Sequence, residues 1–276
     1  MNPPVAAPAA PAVPLLPSIR HWPDRAFRWI ALLAALAIAV LIGLVGWELY
    51  HGARLAIAQF GVGFLASSRW DPVTDQYGAW PFIFGTLVSS LIALVIAVPL
   101  GVATALFLTE FAPVRVRQPI IMIIEMLAAV PSVIFGLWGI FVLVPWMRDH
   151  LFRWLQDGLG FLPFFRGPIY GVSMLAGGII VAIMILPIIT SISREILRSV
   201  PDLQREAAYA LGATHWEVIR LAVLSYARRG IFGAAVLGLG RALGETMAVT
   251  MVIGNRPAVS ASLFAPGYTL ASVIAN

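Results

Sequence analysis

Five separate runs of about twenty apolar residues limit what this chain can fold into more than any other feature. A helix needs about 20 mostly apolar residues to cross the hydrocarbon of a bilayer. Such runs fall at about 29–47, 81–109, 119–146, 169–191 and 231–254. Composition agrees, with 60% hydrophobic and 11% charged residues and a mean hydropathy of +0.91, against about 25% charged residues in soluble domains. Too few polar side chains remain to cover such a chain in water, so lipid must cover much of it. The expected fold is an all-α polytopic transmembrane helix bundle over residues 26–276, after a disordered, Pro/Ala-rich cytoplasmic tail over 1–25.

The first run holds only Ala, Leu, Ile, Val and Gly between Trp29 and Trp47, as expected of a helix facing lipid. The later runs carry Pro99, Pro131, Pro187, Glu125, Arg241 and Glu245. Such residues belong in helices packed around a polar pathway, because lipid satisfies neither charges nor broken backbone hydrogen bonds. All 18 basic residues are Arg. With the N-terminus inside, eleven of them (Arg20, Arg25, Arg28, Arg115, Arg117, Arg194, Arg198, Arg205, Arg220, Arg228 and Arg229) are cytoplasmic. Six (Arg54, Arg69, Arg148, Arg153, Arg166 and Arg256) are outside and Arg241 lies within the membrane. The excess of positive charge in cytoplasmic segments sets that orientation.

Several functions are excluded or disfavoured. The absence of Cys removes disulfides, thiolate metal sites and cysteine nucleophiles. The absence of Lys rules out a Walker A loop. The four histidines are scattered (His21, His51, His150 and His215), so no metal is expected. No Gly-x-Ser-x-Gly turn marks a serine nucleophile, and no catalytic residue is assigned. The net charge of +5 is not gathered into one basic face, which argues against nucleic acid.

The longest polar stretch is the loop over 194–229. Ser199-Val200-Pro201-Asp202 offers a helix start, and Leu203 to Leu211 reads as a short helix with Leu203, Ala207, Ala210 and Leu211 on one face. Gly212 supplies the left-handed conformation that stops it, and Thr214 with Glu217 has capping-box spacing for a second helix. Two short helices joined at a glycine make a rigid knob suited to another protein's groove.

The run Glu206-Ala207-Ala208, three residues, then Gly212 resembles the EAA loop of ABC importer permeases. The family's later Ile and Leu-Pro fall at Ala222, Leu224 and Ser225, where the Ile and the Pro are missing. Gly238 to Thr250, followed by Ile253-Gly254-Asn255, is similar to the PstC-type phosphate permeases of that family. So are Glu125 with Ala129-Val130-Pro131-Ser132, and Gly136-Leu137-Trp138-Gly139. The resemblance runs from about Phe82 to the end. It implies a type I, MetI-like bundle in the bacterial inner membrane that carries inorganic phosphate and docks an ATPase through Glu206, Ala207, Ala208 and Gly212. The implied partners are a PstA-type permease subunit, a PstB-type ATPase dimer, a periplasmic phosphate-binding protein and membrane lipid. No cofactor is expected on this chain, since ATP is used by the partner subunit.

On that resemblance Arg241 and Glu245 lie on the phosphate route, with Glu125, Thr246 and Asn255 as further polar lining. Physical chemistry permits it: an arginine fork donates two hydrogen bonds to a tetrahedral oxyanion and stays charged when buried. Glu245 is four residues from Arg241, on the same helical face. The two also read as a structural salt bridge that offsets the cost of burying both. The glycines at 233, 238, 240 and 244 suit either a partner helix or internal packing. A permease for sulfate or molybdate, or a passive channel or scaffold, stays open, although neither channel nor scaffold needs an ATPase-docking loop. The family has six spans where five are counted here. Leu270 to Ala275 reads as the approach to a sixth, so a truncated chain is expected.

Overall fold

A computed structural model describes residues 22–276. The chain forms two units, Met1–Gly61 and Val62–Asn276. In the first, helix α1 spans Trp22–Phe60. Its 39 residues are about 58 Å long at 1.5 Å per residue, well beyond the expected 29–47. No proline interrupts the helix after Pro23. It ends where Gly61, with φ +56°, donates its N–H to the Ile57 carbonyl. The expected tail over 1–25 is therefore already helical from residue 22, and residues 1–21 lie outside those described.

The second unit is a helix bundle. Among the described residues the strand-like pairing is confined to one bridge, Asp71 with Gln76. Counting α1, five helices are long and apolar enough to cross a membrane. Helix α2 (Trp80–Leu106) starts with Pro81 in its first turn, where a missing N–H costs nothing. Its buried Thr86 and Ser89 return their hydroxyls to the Phe82 and Gly85 carbonyls. A wide π turn over Phe107–Phe111 leads to α3 (Val114–Ala129).

The expected span 119–146 is not one helix. It breaks at Val130 and Pro131, both extended with ψ of 127° and 142°, because proline's ring disfavours helical backbone at the preceding residue. Helix α4 (Ser132–Trp138) then continues through π turns to α5 (Phe152–Leu159), so the long apolar helix here covers Ser132–Leu159.

Helix α6 (Met174–Arg198) is the centre of the bundle, with about two-thirds of its apolar stretch buried. It lies parallel to α2, and glycines set the spacing: Gly178 faces Ile92 and Ser89, and Gly101 faces Ile189 and Thr190. A methyl at either would approach the neighbouring side chain to within 3 Å. Small residues of this kind let membrane helices gain dispersion contacts, where hydrophobic exclusion gives little.

The polar loop forms α7 (Asp202–Ala210) and α8 (His215–Val218). After a π turn over Ile219–Val223, α9 (Leu224–Leu243) runs antiparallel to α6, Gly230 against Ile196 and Gly238 against Ile189. The expected span 231–254 is interrupted, since α9 stops at Gly244 and α10 (Met247–Val252) begins after Thr246. Helix α11 (Leu270–Ala275) is capped by Thr269 and tied to α2 by the Leu270 N–H donating to the Thr86 hydroxyl.

Candidate functional site

The break between α9 and α10 organises the first candidate site. Arg241 lies in the last turn of α9, where helix carbonyls favour a cation. Gly244 then closes the helix with its N–H on the Gly240 carbonyl, and the chain turns through Glu245 and Thr246. The Glu245 side chain is 3% exposed and that of Arg241 48%, with Nη2 and Oε2 3.4 Å apart. Oε1 of Glu245 accepts the Ala248 N–H at 3.2 Å, so the same carboxylate caps the first turn of α10. Glu245 is thus committed on both oxygens, whereas half of Arg241 remains open.

Of the other expected lining residues, Thr246 belongs to the break itself. Thr246 gives its carbonyl to the Thr250 hydroxyl at 2.6 Å. Asn255, at φ +49° after Gly254 at φ +93°, donates Nδ2 to the Thr250 carbonyl at 2.9 Å. It thereby ties down the loop that leaves α10. Glu125 is exposed on α3. Gly136 and Gly139 have a clear role: a Cβ on Gly136 would meet Met251 Sδ at 2.6 Å and Ala248 Cα at 3.0 Å. One on Gly139 would meet Ile180 and Val252 at 2.9 Å. These glycines let α4 press against α10 and fix the helix that Glu245 caps.

The second candidate site is the knob of α7 and α8. Glu206, Ala207 and Ala208 lie on α7, and Gly212 takes φ +79°, the left-handed backbone expected of it. The capping box is present, with the Thr214 N–H on Glu217 Oε2 at 2.8 Å and the Glu217 N–H on the Thr214 hydroxyl at 3.5 Å. Tyr209 Oη lies 2.6 Å from His215 Nδ1, and the His215 ring meets Phe111 edge-on. Leu203, Leu211 and Trp216 are 77%, 89% and 60% exposed among the described residues, an open apolar ridge on the knob.

One anchor of that knob escapes sequence reasoning. Arg205 Nη1 donates to both oxygens of Glu110, at 2.6 and 2.8 Å, and Nη2 donates to the Leu197 carbonyl at 3.2 Å. The Glu110 side chain is 6% exposed. The partners lie 95 residues apart, so no local spacing links them. The one signal in the sequence is a lone acid at the arginine-rich end of a span. This clamp ties α7 to the ends of α2 and α6.

The four expected glycines divide, and Gly244 meets only the carbonyl of Gly240 in its own helix, at 3.6 Å. Gly238 is packed on Ile189, whereas Gly233 and Gly240 face open space.

A family model described as "Binding-protein-dependent transport system inner membrane component" matches residues 97–272, more than half of the chain. A protein of Mesorhizobium japonicum named "Phosphate transport system permease protein PstC" is 46% identical over 275 residues, covering 95% of this chain and 84% of that protein. A protein of the same name from Xylella fastidiosa is 49% identical over 259 residues, covering 91% and 80%. The similarity extends to Methanocaldococcus jannaschii, whose "Probable phosphate transport system permease protein PstC" is 37% identical over 255 residues.

Proposed function

The chain belongs to the family of binding-protein-dependent transport system inner membrane components, and from that premise we propose that it is the PstC-type permease subunit of an ATP-driven importer of inorganic phosphate. The observation that carries this reading is the 46–49% identity, over about nine-tenths of the chain, to proteins named as phosphate transport permeases. A half-open arginine at a helix break inside the bundle agrees with it.

The N-terminus is assigned to the cytoplasm, and the arginine-rich end of the bundle with it. The exposed ridge on α7 and α8 docks one subunit of a PstB-type ATPase dimer, with Glu206, Ala207, Ala208 and Gly212 setting the shape of the knob. The open glycines of α9 face a PstA-type partner, and a periplasmic phosphate-binding protein delivers the anion from outside. This chain binds no cofactor, and ATP is hydrolysed on the partner. When ATP closes the ATPase dimer, α7 moves, and the clamp of Arg205 on Glu110 passes that motion to α2 and α6. Arg241, held near Glu245 by one long contact, exchanges it for phosphate. A charge-assisted hydrogen bond is worth about 1.5–3 kcal/mol, enough to hold an anion briefly without trapping it.

The test is ATP-dependent uptake of labelled phosphate into proteoliposomes holding the chain, its permease partner, the ATPase and the binding protein. Uptake that persists in excess sulfate and molybdate is expected. Competition by either anion as strong as that by unlabelled phosphate would sink the substrate assignment.

A further inference from the structure

A cavity of about 240 Å³ lies at the arginine-rich end of the bundle, apart from the α9–α10 break. Its polar walls are Arg117 at the start of α3, Arg194 and Arg198 at the end of α6, Asp202 and Arg205 on α7, and Glu110 after α2. At about 30 Å³ per water, this is room for about eight waters, and so for a tetrahedral oxyanion that keeps part of its hydration.

The charges do not cancel. Arg205 is spent on Glu110 and the Leu197 carbonyl, and Asp202 is 92% exposed, 3.9 Å from the same guanidinium. Three arginines remain with donors to spare. The Arg194 side chain is 13% exposed, and its ion pair is a 3.4 Å contact with the exposed Glu195. Arg117 gives Nη2 to the Thr109 and Ala112 carbonyls. Among the described residues, the Nε–H groups of both Arg117 and Arg194 are buried without an acceptor. Arg198 is exposed. A buried donor left without an acceptor is costly, and more so when it is charged. Three arginines with unspent guanidinium donors at one cavity call for an acceptor rich in oxygen and negative charge.

We propose that this cavity binds a phosphate group at Arg117, Arg194 and Arg198, supplied by an anionic lipid headgroup or by free inorganic phosphate. Both sources present the same tetrahedral oxyanion, which suits arginine forks. Basic pockets between membrane helices on the cytoplasmic side are known to take phospholipid headgroups. The bound group joins the ends of α3 and α6 beside the Arg205 clamp, so occupancy stiffens the base of α7. That consequence rests on the docking reading above, whereas binding itself does not.

The experiment uses the full chain, purified with its accompanying subunits in a zwitterionic detergent, and needs no uptake measurement. Native mass spectrometry and thermal unfolding follow two titrations, one with phosphatidylglycerol and one with inorganic phosphate, against phosphatidylcholine and chloride as controls. Binding of one probe should weaken at least about tenfold in Arg117→Gln/Arg194→Gln, the loss expected when charge-assisted hydrogen bonds to the anion are removed. Inorganic phosphate is titrated in the Arg241→Gln background, so that the transport arginine does not contribute, and Arg153→Gln at an exposed position on α5 should leave binding of either probe unchanged. Should the double variant fail to fold, the exposed Arg198→Gln serves instead, with a smaller loss expected. A response to phosphatidylglycerol alone assigns the headgroup, and one to inorganic phosphate alone assigns the free anion. The proposal is overturned if neither probe binds above its control, or if binding survives both sets of arginine variants.

Discussion

Two Arg–Glu pairs in this chain use the same chemistry for different ends. Arg205 and Glu110 meet at 2.6 and 2.8 Å across 95 residues, and the arginine is further used by the Leu197 carbonyl. Arg241 and Glu245 meet at 3.4 Å within one turn of chain. Both carboxylates are nearly buried, at 6% and 3% side-chain exposure. In the first pair the arginine side chain is 22% exposed and its donors are engaged; in the second it is 48% exposed and they are largely free. A saturated arginine holds helices together, whereas a free one is available to a passing anion. Burial of the acid alone would not have told the two apart.

The largest effect is expected from Arg241→Gln. It should lower phosphate uptake on the order of 100-fold, as when about 2–3 kcal/mol of charge-assisted hydrogen bonding to the moving anion is lost. Subunit assembly and thermal stability should stay near those of the parent. Uptake within a fewfold of normal would reduce Arg241–Glu245 to a structural pair.

The clamp predicts the opposite pattern. Glu110→Gln leaves Arg205 short of its counter-charge in a mostly buried site. Removing one partner of a buried pair costs up to about 3–5 kcal/mol, and the partial exposure of Arg205 brings this to roughly 2 kcal/mol. The ATPase should copurify poorly and the unfolding temperature should fall. A double-mutant cycle sharpens the contrast. Glu110 and Arg205 should couple by about 1–3 kcal/mol in stability, and Arg241 with Glu245 by under about 1 kcal/mol.

The cap of α10 can be separated from the ion pair. Glu245→Gln keeps an oxygen for the Ala248 N–H and removes the charge, so stability should barely change while uptake responds. Glu245→Ala removes both and should cost about 1 kcal/mol more, the usual worth of a cap. Equal stability loss in the two variants would mean that the charge, not the cap, holds the break.

Much of this was legible in the residues because it is local. Apolar length gave the number of long apolar helices but not their bounds, the Thr214–Glu217 spacing forecast the capping box, and Gly212 marked a left-handed turn. The helix breaks were harder, since hydropathy does not register backbone geometry. Val130–Pro131 interrupts a run that reads as continuous, and Gly244–Glu245–Thr246 lies inside the motif that drew attention for its charges. The roles of Gly136 and Gly139 became clear only when α10 was found against them, with Ala248 and Val252 at the crossing. The clamp on Glu110 was illegible because its partners come together only through the packing of α2 on α6. The same packing gathers the arginine cavity from four elements.

A further prediction probes the knob at its turn, just beyond the C-terminal end of α7. Gly212 has φ +79°, and a methyl added there would find nothing within 4 Å. Gly212→Ala therefore meets no steric neighbour, and its cost is conformational. An L-residue in left-handed backbone costs about 1–2 kcal/mol. The π turn at Ile219–Val223 and the capping box hold α8 independently, so the strain should open the α7–α8 junction and leave the bundle intact. ATPase association should weaken by up to about tenfold, the equivalent of about 1.4 kcal/mol. Gly212→Asn should weaken it less, because Asn tolerates this conformation better than Ala. The thermal unfolding of the bundle should be unchanged in both. If Ala and Asn weaken association equally, or if the bundle itself loses stability, then the junction does not act as a rigid hinge point. The Arg205 clamp would then carry the docking geometry alone.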